Sequence, residues 1–144
     1  MAMNIDKEKV QEVIARLRQL QAQAESYSHQ IGSVQASLSD HEKALLTLNA
    51  IESMEEGGEL LVAIGAGAEI YATLSSKDRI VVGLGGGVSA EKDIKGAIAI
   101  ITKRQEDLSV SHKRLTEILV GVEAEAQKIE QSLQAISMQM EQQG

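Results

Sequence analysis

The residues best suited to chemistry in this chain are three histidines, His29, His41 and His112, and the stretch Gly83-Leu84-Gly85-Gly86-Gly87-Val88. A metal pair would need histidines gathered in one place. These three are scattered, so the expectation is hydrogen-bonded or solvated rings and no metal site. The glycine stretch has the look of a dinucleotide fingerprint, in which glycines let the backbone approach a pyrophosphate. It fails at its sixth position, where Val88 stands, and the residues after Val88 do not belong to a βαβ unit. There is no Walker sequence and no cysteine, so phosphate-loop and thiolate chemistry are both set aside. Spacing gathers no Ser/His/Asp set and no carboxylate pair. The chain therefore reads as a non-enzyme that requires no cofactor.

Composition narrows the class further. Among 144 residues there is no proline, tryptophan or phenylalanine, and the only aromatic residues are Tyr27 and Tyr71. Globular cores usually rely on a few large aromatics. Apolar content is nevertheless 43%, carried by Ile, Leu, Val and Ala, which suits long helices with a narrow apolar seam. The net charge of −7 lacks the basic face of a nucleic-acid binder. No apolar run reaches the roughly 18–20 residues that span a bilayer. The opening Met1-Ala2-Met3-Asn4-Ile5-Asp6-Lys7 is not laid out as a signal peptide. A cytoplasmic protein without nucleic-acid or membrane partners is the expectation.

The elements that must position any functional residue fall into three parts: a helix over 6–56, strands over 59–91 and a second helix over 93–142, read as a single domain over 1–144. In the first part a 3-4 alternation gives Val10, Val13, Leu17, Leu20, Ala24, Tyr27, Ile31, Val34, Leu38, His41, Leu45 and Leu48. Only His41 among them is not apolar. In the last, the alternation gives Ile94, Ile98, Ile101, Gln105, Leu108, His112, Leu115, Leu119, Val122, Ala126, Ile129, Leu133, Ile136 and Met140. Only Gln105 and His112 are not apolar. A period of 3.5 sustained this long predicts a left-handed coiled-coil seam. At 1.5 Å per residue each helix is about 70 Å long.

The connecting segment starts and ends near one place, so the helices are expected to pack antiparallel. One register sets Leu48 beside Ile98, Leu38 beside Leu108, Tyr27 beside Leu119 and Val10 beside Ile136. It also sets His41 beside Gln105 as a polar layer that fixes the register.

The middle segment reads as two hairpins. Glu59 to Ile64 and Ala68 to Leu74 flank Gly65-Ala66-Gly67, while Arg79 to Leu84 and Val88 to Glu91 flank Gly85-Gly86-Gly87. Glycine adopts positive φ at little cost, as tight hairpin turns require. Ser75-Ser76-Lys77-Asp78 is a turn cluster between them, Gly57-Gly58 ends the first helix, and Asp93 is the expected N-cap of the second. Two short hairpins alone are marginal, and their open edges invite further strands. The expectation is an obligate oligomer completed by strands of other subunits. The pairing residues would be Leu60, Val62, Ile64, Ile70, Ala72, Leu74, Ile80, Val82, Leu84 and Val88.

A helix, two glycine-bent hairpins and a helix in this length resemble the α class of prefoldin. The resemblance covers nearly the whole chain. It is sharpest in Leu61-Val62-Ala63-Ile64-Gly65-Ala66-Gly67 with Glu69 and in Val81-Val82-Gly83-Leu84-Gly85-Gly86-Gly87-Val88. Ala63 stands where the family usually has proline, and the second hairpin favours the α over the β class. The resemblance implies a mainly α fold: a long antiparallel two-helix coiled coil whose tandem hairpins build an intersubunit β-barrel. It implies two α and four β subunits, unfolded client proteins as ligands, and delivery to a group II chaperonin without ATP. It also implies an archaeal source.

Client binding would then lie at the helix ends away from the hairpins. The candidates are Met1, Met3, Ile5, Val10, Val13, Ile14, Leu17, Leu133, Ile136, Met138 and Met140. Methionine is flexible and polarizable, which suits many different apolar segments, and several arms acting together would add avidity. Seam residues among the candidates would also serve simply to pack the coil. The alternative function is a structural coiled-coil scaffold for one dedicated partner.

Overall fold

The computed structural model describes residues 7–143, with side chains described to Gln142. Helix α1 spans Lys7–Glu52, strands β1 to β4 span Glu59–Gly65, Ala68–Thr73, Ile80–Gly85 and Val88–Lys92, and helix α2 spans Ile94–Gln143. The absence of proline leaves both helices unbroken. The described residues form two compact units, one of 7–35 with 110–143 and one of 36–109.

In the first unit both helices turn their seams inward. Val10, Val13, Leu17, Ala24, Tyr27, Ile31 and Val34 are half-buried and Leu20 is fully buried. Facing them, His112, Leu115, Leu119, Val122, Ile129, Leu133 and Ile136 are half-buried and Ala126 is buried. The intervening positions are mostly exposed, which is how a 3.5-residue repeat keeps one stripe covered. Two cross-helix contacts run in opposite chain directions, as antiparallel packing requires. Arg16 Nη2 lies 3.1 Å from Glu125 Oε1, and Gln35 Nε2 lies 3.2 Å from His112 Nε2. The second contact falls one residue from the expected register, which sets Val34 opposite His112; the first, between two long side chains, falls five residues from it, since that register sets Arg16 opposite Glu130. The ion pair is well solvated on both sides and contributes little.

The second unit holds the inner helix stretches and the strands. Helix α1 stops at Glu52 rather than continuing to Glu56. Just past it the chain tightens as Met54 N–H donates to the Ile51 carbonyl at 3.0 Å, so the helix ends before the expected Gly57-Gly58; Gly57, at φ of 84°, turns the chain toward the first hairpin instead. Asp93 caps α2 as expected: its Oδ1 accepts from Gly96 N–H at 2.8 Å. A Cβ on Gly96 would meet that oxygen at 2.8 Å, so glycine leaves room for the cap.

The strands form two separate antiparallel pairs, β1 with β2 and β3 with β4. The first pairs Leu60 with Ala72, Leu61 with Tyr71 and Val62 with Ile70. The second pairs Ile80 with Lys92, Val81 with Glu91 and Val82 with Ala90. Each carries a bulge one residue before its turn, at Ile64 and at Leu84. The turns match as well, with positive φ at Gly65, Ala66 and Gly67 and at Gly85, Gly86 and Gly87.

His41 is half-buried in the second unit, as is Gln105. His41 Nδ1 donates to the Ser37 carbonyl of its own helix at 2.7 Å, and the hydrogen bond between helices at a seam histidine is the one at His112. The Nδ1 position lies close to the backbone, so the carbonyl four residues back is within its reach and accepts the imidazole N–H here.

Candidate functional site

Among the described residues, most of the large apolar side chains left exposed lie in the hairpins. Every residue from Leu61 to Tyr71 is exposed. On one face of the first hairpin Val62 and Ile70 form a cross-strand pair, exposed with Ile64, while Leu60 and Ala72 are half-buried. On the other face Leu61 and Tyr71 form a second exposed apolar pair. Two backbone bonds lengthen this hairpin beyond its strands: Gly57 N–H to the Leu74 carbonyl at 2.7 Å and Leu74 N–H to the Gly58 carbonyl at 2.9 Å. Both strands are edges, so each presents backbone donors and acceptors without a neighbouring strand.

The second hairpin is seated differently. Val82 is buried, and Ile80 and Ala90 on the same face are half-buried. Arg104 of α2 donates from Nη2 to the Gly83 carbonyl at 2.6 Å, fixing β3 against the helix. Val82 shares with Leu48, Ala97 and Ile101 the lining of an open hollow of about 400 Å³. Beyond that face Val81, Leu84 and Val88 remain exposed. Between the hairpins runs a groove of about 470 Å³, lined by Leu60, Val62, Ala72 and Leu74 from the first side and by Ile80 and Val81 from the second.

The turn cluster between the hairpins holds a residue that sequence reading passed over. Lys77 donates from Nζ to the Glu52 carbonyl at 3.0 Å and from its backbone N–H to Glu56 Oε1 at 3.2 Å. Its own carbonyl accepts from Ile94 N–H at 3.0 Å. Lysine in a polar turn gives no sign of such partners, because they are remote in sequence.

The helix-end candidates divide by exposure. Val10, Val13, Ile14, Leu17, Leu133 and Ile136 are half-buried, held partly in the seam. Met138 and Met140 are 63% and 52% exposed, although counting puts Met140 on the seam. Its partner in the expected register is Asp6. That residue lies outside the described residues, as do the candidates Met1, Met3 and Ile5.

Among the described residues no group of His, Cys, Asp and Glu is placed to hold a metal ion. No helix among them is long and apolar enough to cross a membrane. What the hairpins present is unpaired strand edges and exposed apolar side chains.

Comparison with known proteins gives a consistent picture. The family model for prefoldin subunits matches residues 20–139. The prefoldin subunit alpha of Methanothrix thermoacetophila is 39% identical over 104 residues, covering 72% of this chain and 68% of the relative. That of Methanospirillum hungatei is 32% identical, covering 100% of this chain and 97% of the relative. Among solved structures, a chain of filamentous prefoldin from Methanocaldococcus jannaschii superposes with a TM-score of 0.69 at 24% identity. It covers 82% of this chain and 98% of that one. The prefoldin beta subunit from Thermococcus strain KS-1 gives 0.60 at 18% identity, covering 94% and 96%. Both share the fold.

Proposed function

The chain belongs to the prefoldin family of chaperone subunits, on the α side, and we propose that it works as the α subunit of an ATP-independent holding complex. In this reading the hairpins complete their sheets with strands of β-class subunits, two α with four β, in a shared double barrel. The helix ends then hold unfolded proteins for transfer to a group II chaperonin in the cytoplasm.

The observation that carries the reading is the uncovered first hairpin. It offers two strand edges and apolar side chains on both faces, and it has no layer of its own chain over residues 61–71. Burying such surface stabilises at about 25 cal/mol per Å², and pairing an edge satisfies its backbone groups at the same time. A strand from a neighbouring subunit does both.

For client capture, support comes from Met138 and Met140, which are unbranched and exposed. The half-buried candidates contribute if the seam opens at its end. Each contact is weak, and avidity across several arms makes the holding effective. No bond is made or broken, so no catalytic group is called for.

The test is suppression of aggregation of unrelated denatured proteins by the chain mixed with a β-class subunit. Protection is expected, with most of it lost when residues 1–9 and 135–144 are removed. Full protection by the truncated complex would overturn the helix-end site. Tight binding of one folded protein with no protection of unfolded ones would overturn the holding role.

A further inference from the structure

We propose that Lys77 is the positioning residue that locks the two hairpins to the two helix ends, and so sets how the hairpin edges meet a partner. Three polar groups of this one residue are engaged, each with a different part of the chain. The ammonium caps the C-terminus of α1 at the Glu52 carbonyl. The backbone N–H holds the Glu56 carboxylate in the segment leading to β1. The carbonyl receives the N–H of Ile94, the first residue of α2. Lys77 itself lies midway between β2 and β3, so the end of one helix, the start of the other and the joint between the hairpins meet at one residue.

The chemistry favours lysine here. The last carbonyls of a helix lack intrahelical partners and carry the negative end of its dipole. A compact ammonium on a long stem reaches such a carbonyl from a remote loop and can use its remaining donors on others nearby. The other tie is at Ile94, which is 8% exposed and begins the buried stripe of α2. A shift of residue 77 would therefore move a packed position. Besides these ties, the second hairpin is held to α2 through Arg104 and the buried Val82, whereas the bonds of Gly57 and Gly58 with Leu74 lie within the first hairpin. Without the Lys77 ties each hairpin would still form, but the angle between them would be free to vary. A partner that pairs with both at once would then have to fix that angle on binding, at a cost in affinity.

The inference rests on the assembly reading for its consequence and on the isolated chain for its mechanism, and the experiment keeps these apart. Lys77→Met keeps the stem and the two backbone ties and removes the ammonium, so any loosening it causes at Glu56 and Ile94 comes through the lost bond to Glu52, while Lys77→Arg keeps a charged donor. Hydrogen exchange on the isolated full-length chain tests the lock itself. In Lys77→Met the amides at 52–58 and of Ile94 should exchange about tenfold faster, with Lys77→Arg close to wild type and residues 7–35 and 110–142 unchanged. Unchanged exchange at Ile94 and 52–58 would overturn the lock, whatever happens to assembly. Titration with a β-class subunit tests the consequence: Lys77→Met should bind about tenfold more weakly and Lys77→Arg within about threefold of wild type. Wild-type affinity for Lys77→Met, with the exchange effect present, would overturn the positioning role. Failure of the wild-type chain to bind a β-class subunit would instead overturn the assembly reading and with it that role, leaving the lock to stand or fall on exchange.

Discussion

Val62 and Val82 occupy the same place in two hairpins of matching design, each two residues before a bulge and three before a glycine turn, yet Val62 is 39% exposed and Val82 only 7%. Local sequence does not account for the difference. Both hairpins have the bulge, the run of positive φ and apolar residues on alternate positions. What separates them is the rest of the chain. The second hairpin faces Ala97 and Ile101 and is tied by Arg104, whereas residues 61–71 of the first have no cover. One hairpin is thus part of the subunit's own small core, and the other is surface kept for something else.

The sharpest way to break this contrast is a charge at each valine. Val82→Asp places an unpaired carboxylate in a buried site and should cost the isolated chain about 3 kcal/mol, read as a lowered thermal midpoint by circular dichroism. Val62→Asp should cost the isolated chain under about 0.5 kcal/mol while abolishing binding to a β-class subunit. Equal destabilisation of the isolated chain by both would remove the distinction. A smaller effect is expected for Arg104→Ala, which loses a charge-assisted hydrogen bond to Gly83. It should raise hydrogen exchange in β3 and β4 by an amount corresponding to about 1 kcal/mol and leave β1 and β2 unchanged.

The smallest effect concerns the turns. Ala66 has φ of 52° where the second hairpin has Gly86 at 61°. An L-residue there is strained by about 1–2 kcal/mol, against about 0.4–1 kcal/mol of extra chain entropy that glycine loses on folding. Ala66→Gly should therefore stabilise the first hairpin by about 0.5 kcal/mol, seen as slower exchange of β1 and β2. Faster exchange would show that the two turns are not equivalent.

Much of the architecture was legible in the residues because it is written in periods and turn chemistry. The seam from Val10 to Val34, the glycine turns at 65–67 and 85–87 and the cap at Asp93 all depend on neighbours a few positions away. The unequal seating of the hairpins was not legible. It depends on where Arg104 and Ala97 lie once the chain has returned, and Val62 and Val82 look alike in sequence. The ties of Lys77 are hidden for the same reason. Among the helix-end candidates, period alone placed Met140 on the seam with Ile136. Exposure separates them, leaving Met140 open and Ile136 half-buried.

The central claim is that the first hairpin is left bare for strands of another subunit. Hydrogen exchange of the full chain, alone and after mixing with a β-class prefoldin subunit, tests it most directly. In the isolated chain the amides of β1 and β2 are expected to exchange faster than those of β3. On mixing they should slow by about 100-fold or more as their edges become paired. A complex that forms while β1 and β2 keep exchanging at their isolated rates would contradict it.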